Sequence, residues 1–145
     1  MNPQNPALLQ NGLNCLHKIS KTVATLPTLI FQGAVQAVVA AMRAYPDNVE
    51  LQQFGMEILS NLASHQSRET APMLTKGGTV EAVISISILH HAVPRIQIAA
   101  FITLQHLATA SGDDAIVIVK SNYVPKVRRN EILLWLLCLH MLSCV

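Results

Sequence analysis

The chain has 145 residues, of which 51% are hydrophobic, 4% aromatic and 12% charged. That length allows one compact domain, and so high an apolar content excludes a disordered chain. The net charge of +2 is spread thinly. Its densest basic cluster, Lys126, Arg128 and Arg129, is too small for a nucleic-acid footprint.

Cys15, Cys138 and Cys144 form an odd, sparse set with no disulfide framework, which predicts a reducing compartment. The first residues, Met1 to Pro6, have neither the basic region nor the apolar core of a signal peptide. The expected location is the cytoplasm, with the nucleus as the second choice.

Taken from the N-terminus, the chain repeats itself. Gly12 and Leu16 fall on Gly55 and Leu59 at a shift of 43, so residues 6–32 read as a partial unit. The first full unit, 33–77, then aligns with the second, 78–121, at a shift of 45. Thr25 and Pro27 fall on Thr70 and Pro72, and Gly33 and Val35 on Gly78 and Val80. Gln52 falls on Gln97, and Leu59, Leu62 and Ala63 fall on Leu104, Leu107 and Ala108. One spacing shared by so many matches points to stacked units, none of which buries its apolar face alone.

Each unit reads as three helices. A short one opens with Thr25 or Thr70 as the cap and Pro27 or Pro72 in its first turn, where a missing N–H costs nothing. Gly33 and Gly77-Gly78 end it, because glycine enters the left-handed conformation freely. A second helix follows from Ala34 to Ala44 and from Val80 to Leu89. Tyr45-Pro46-Asp47-Asn48 and His90-His91-Ala92-Val93-Pro94 close it as turns. The third helix is the longest, Val49 to Ser64 and Arg95 to Ala110. Leu51, Met56, Leu59 and Leu62-Ala63 form its buried stripe.

Beyond the second unit, Asp113-Asp114 after Ser111-Gly112 reads as a helix cap with an acidic first turn. Val124 begins a third unit, and there the pattern breaks. Residues 126–145 are expected to form an atypical apolar helix, separate from a repeat domain over residues 1–125. The apolar run from Ile132 to Val145 is 14 residues, against about 20 for a membrane span.

The residue patterns offer little chemistry. Gly77-Gly78 lacks the spacing and the Lys-Ser/Thr pair of a phosphate loop. His90-His91 reads as a solvated turn, since metal ligands on a helix want i, i+4 spacing and a third partner. Cys138, His140 and Cys144 have only the look of a zinc half-site without a fourth ligand. His106 has no carboxylate or nucleophile near it in sequence. The expectation is therefore no enzyme, no catalytic residue, no metal and no cofactor.

Two segments carry a family resemblance. Gly33-Ala34-Val35-Gln36-Ala37-Val38-Val39 resembles the Gly-Ala-Ile/Val-x-x-Leu-Val opening of a second helix in armadillo repeats. Leu51 through Ala63, closing on Leu59-Ser60-Asn61-Leu62-Ala63, resembles the family's third helix. Gly78-Thr79-Val80 and Leu104-Gln105-His106-Leu107-Ala108 are the second unit's counterparts. The likeness spans roughly residues 6–125.

What the resemblance implies is an all-α, right-handed solenoid of three-helix repeats. Such a solenoid serves as a protein-binding scaffold whose third helices line a concave groove for a partner peptide or helix. The family's groove positions fall on Glu57 and Asn61, on Ile102 and His106, and on Asn14 and Lys18. In this reading Asn61 bonds an extended backbone, Ile102 offers an apolar seat, and Glu57 favours a basic or neutral residue over an acidic one. Members that read nuclear-import signals carry Trp four residues before the Asn. Here Glu57, Ile102 and Asn14 stand there, and the only Trp is Trp135, so that ligand is not implied. The alternative function is a membrane-tethered adaptor anchored by residues 132–145. The apolar end is also a candidate for packing on further repeats or on a second copy.

Overall fold

A computed structural model describes residues 5–65, 67 and 69–110, and every regular element among them is helical. The elements are α1 (Pro6–Ser20), one 3-10 turn (Val23–Thr25), α2 (Leu26–Phe31), α3 (Ala34–Ala44), α4 (Val49–Ser64), α5 (Ala71–Thr75), α6 (Thr79–Leu89) and α7 (Pro94–Ala110). The expectations for Asp113-Asp114, for Val124, for the helix at 126–145, for the Cys138–Cys144 segment and for an anchor at 132–145 all lie outside the described residues.

The triad α2–α3–α4 recurs as α5–α6–α7. Each helix of the second triad starts 45 residues after its counterpart: 26 and 71, 34 and 79, 49 and 94. The turn between short and middle helix recurs too. Gly33 (φ 80°, ψ 22°) and Gly78 (φ 73°, ψ 35°) are both left-handed, a conformation in which a Cβ would crowd the following carbonyl. Gly33 closes one helix and opens the next. Its N–H donates to the Ile30 carbonyl at 3.1 Å, and its own carbonyl accepts from the Ala37 N–H at 3.1 Å.

The glutamines at the start of the long helices repeat in their bonding. The Gln52 Nε2 donates to the carbonyls of Met42 and Tyr45, both at 2.8 Å. The Gln97 Nε2 donates to the carbonyls of Ser87 at 2.7 Å and His90 at 3.3 Å. In each unit one side chain thus satisfies carbonyls that the end of the middle helix leaves without helical partners.

Two expectations need correction. Thr25 and Thr70 do not cap the short helices. Their backbones are already helical (φ −90°, ψ −17° and φ −87°, ψ −25°), whereas a capping side chain works from an extended residue. The hydroxyls turn back instead: Thr25 Oγ1 donates to the Ile19 and Thr22 carbonyls at 2.9 and 2.7 Å, and Thr70 Oγ1 to the His65 carbonyl at 3.2 Å. Nor is His90 solvated. It is buried, and its Nε2 lies 2.7 Å from the Pro46 carbonyl, tying the corresponding turns of the two triads together. His91 is exposed, as expected.

Leu59, Leu62, Leu104 and Leu107 are all buried. Helix α4 packs most extensively on α7 and next on α1, so the three long helices lie side by side with α4 in the middle. Helix α3 packs on α4 and on α6 behind them. The α3–α4 crossing is close because Gly55 has no side chain: a Cβ there would meet the Met42 Sδ at 2.5 Å. No single helix among the described residues is long and apolar enough to cross a membrane.

Candidate binding groove

Setting the three long helices side by side leaves an open hollow of about 340 Å³ along their shared face. Helix α1 contributes His17 and, at its C-cap, Lys21. Helix α4 contributes Glu57, Ser60 and Asn61. Helix α7 contributes Arg95, Ile98, Ala99 and Ile102. Their spacing of three, four and seven residues puts these four on one helical face.

Glu57 is the hub. Its Oε2 accepts from the His17 Nε2 at 2.8 Å and its Oε1 from the Arg95 Nη2 at 2.7 Å, so one carboxylate joins all three long helices. The His17 ring also packs on Phe54, with ring centroids 5.6 Å apart. One turn further along α4, the Asn61 Nδ2 donates to the Ser20 Oγ at 3.0 Å. That hydroxyl in turn donates to the His17 carbonyl at 2.9 Å.

Burial holds the His17 pKa below the usual imidazole value. The neighbouring Glu57 carboxylate opposes the shift, while the Lys21 and Arg95 charges add to it. His17 is therefore neutral at pH 7, and it reaches Glu57 as an N–H donor in the tautomer protonated on Nε2. Burial also lowers the pKa of His106.

Of the residues singled out in the sequence, the fold brings Glu57, Asn61 and Ile102 to one hollow. His106, one turn beyond Ile102 on α7, is partly buried and does not line it. Asn14 and Lys18 do not line it either. The α1 residues that do are His17 and Lys21, each three positions later, because the neighbour that faces Glu57 across the helix pair is His17. Glu57 and Asn61, expected to face a partner freely, already bond within the chain. Glu57 is therefore not the open acidic contact that the sequence suggested.

Sequence reasoning overlooked Arg95 and Lys21, which stand at the ends of their helices. The helical spacing that Arg95 shares with Ile102 is the signal that would have found it. Nothing local pointed to Lys21. Among the described residues, no group of three or more His, Cys, Asp or Glu side chains is placed to hold a metal ion.

No protein-family model, no curated protein and no solved structure gave a significant match to this chain.

Proposed function

We propose that the chain is a protein-interaction scaffold, a short armadillo-type right-handed solenoid that docks a partner segment in the groove of α1, α4 and α7. The observation that carries this reading is the recurrence of the triad at a shift of 45, with the same left-handed glycine and the same glutamine closure in each copy. Recurrent units stack so that equivalent helices become adjacent ribs of one continuous surface. That surface holds a hollow lined by both apolar and polar side chains, the composition of a docking site for a segment carrying both kinds of group.

The test is selection of peptides from a displayed random library on the full chain. Selected peptides should lose binding to Ile98→Arg. Ile98 is 59% exposed, so this variant should keep the wild-type helical content and melting point while filling the hollow. Undiminished binding to a folded Ile98→Arg chain would put the docking surface elsewhere.

A further inference from the structure

The charges around the hollow are not equally available. The Glu57 side chain is 21% exposed, and each of its carboxylate oxygens already accepts a bond. The His17 side chain is 10% exposed. The Arg95 side chain, by contrast, is 68% exposed, and Lys21 is exposed at the end of α1. An incoming segment thus meets the exposed Lys21 and an Arg95 guanidinium that holds Glu57 through Nη2 alone, beside a carboxylate whose two oxygens are both occupied. Beside the cations lies the aliphatic strip of Ile98, Ala99 and Ile102, with Ile98 itself largely open to solvent.

The spacing of these features defines a ligand. Ile98 and Ala99 stand about one helical turn from Arg95, about 5.4 Å along α7, and Ile102 about two turns away. Same-face side chains of an extended peptide recur at about 6.8 Å, every second residue. A carboxylate at one position of such a peptide would face Arg95 and Lys21. Aliphatic side chains two and four positions away would reach Ile98 and Ile102.

We infer that the groove takes an extended peptide segment bearing a carboxylate residue with branched aliphatic residues at the second and fourth positions from it. The inference rests on the groove reading above and reverses the charge preference that Glu57 suggested in the sequence. The Ser60 hydroxyl and the Asn61 side chain line the same hollow.

The experiment is fluorescence anisotropy on the full chain at low salt with three labelled peptides. Each has leucine at two and four positions after a variable residue, serine in the gaps, and glutamate, glutamine or lysine at the variable position. The glutamate peptide should bind at least about fivefold more tightly than the glutamine peptide and more tightly still than the lysine one. Its advantage should shrink as salt is raised. Lys21→Glu, which leaves the Glu57 contacts in place, should erase most of that advantage, read as a fall in the ratio of glutamate-peptide to glutamine-peptide affinity. Equal binding of all three peptides, a preference for lysine, or an unchanged preference in Lys21→Glu would overturn the charge inference and leave the groove standing. Failure of every peptide to bind, or full binding to Ile98→Arg, would overturn the groove and the inference together.

Discussion

Gln52 and Gln97 stand 45 residues apart, and each gives its amide nitrogen to two carbonyls at the end of the preceding helix: Met42 and Tyr45 for one, Ser87 and His90 for the other. The accepting carbonyls are themselves 45 positions apart, so the repeat extends from residue type to individual hydrogen bonds. Gln52 is wholly buried. Gln52→Leu would fill similar space but take the side-chain donor from the buried Met42 carbonyl, while the Tyr45 carbonyl keeps the Asn48 N–H, at a cost of about 1–3 kcal/mol. Gln97 is only half-buried, and water can replace part of its bonding, so Gln97→Leu should cost less. Urea unfolding of the two variants checks the order.

Gly12 and Gly55 match in sequence but sit in opposite surroundings. A Cβ at Gly12 meets nothing within 4 Å, whereas one at Gly55 meets the Met42 Sδ at 2.5 Å and Cγ at 2.6 Å. Gly12→Ala should stabilise by about 0.5–1 kcal/mol, since alanine is the better residue in a helix interior. Gly55→Ala should destabilise by about 1–3 kcal/mol by overpacking the α3–α4 contact. Equal effects at the two sites would mean that α1 and α4 are packed alike.

The order of helices was legible in the sequence because its signals are local. Glycine at a left-handed turn, proline in a first turn and leucine at helical spacing act over a few residues, so α3 and α4 begin and end where these signals place them. The buried stripe followed from the same spacing. The groove was legible only in part, because it depends on how neighbouring long helices slide past each other. Glu57, Asn61 and Ile102 do line one hollow, but its α1 side is formed by His17 and Lys21, about one turn beyond Asn14 and Lys18. The engagement of Glu57 by Arg95 joins residues on different helices, and no local pattern records it. The role of His90 was hidden for the same reason, since its partner, Pro46, belongs to the other triad.

The bond between Glu57 and Arg95 should contribute modestly to stability, because the Arg95 side chain is largely exposed. A double-mutant cycle with Glu57→Gln and Arg95→Gln should give a coupling of about 0.2–1 kcal/mol that falls as salt is raised. A coupling of several kcal/mol, insensitive to salt, would mean that the pair is shielded from water.

Stability should depend on pH in the neutral-to-acidic range. Folding lowers the pKa of both His17 and His106. The unfolded chain therefore binds protons more readily, and stability rises with pH. These contributions are fully present above the unfolded value of 6.5 and are lost as pH falls through it toward the folded values. Below those values they no longer change. His17→Gln keeps a donor for Glu57 but does not titrate, so it should flatten part of the slope, and His106→Gln should flatten a further part. A slope unchanged in the double variant would assign the dependence to other groups.

If the face shared by α1, α4 and α7 is the docking surface, a bound peptide should move the backbone amide chemical shifts of that face. The full chain, labelled with nitrogen-15, would be titrated with a peptide selected on it. The largest shifts should fall on residues 17–21, 57–61 and 95–102 and vanish in Ile98→Arg. Shifts concentrated on the far sides of α3 and α6, with those three stretches unmoved, would contradict it.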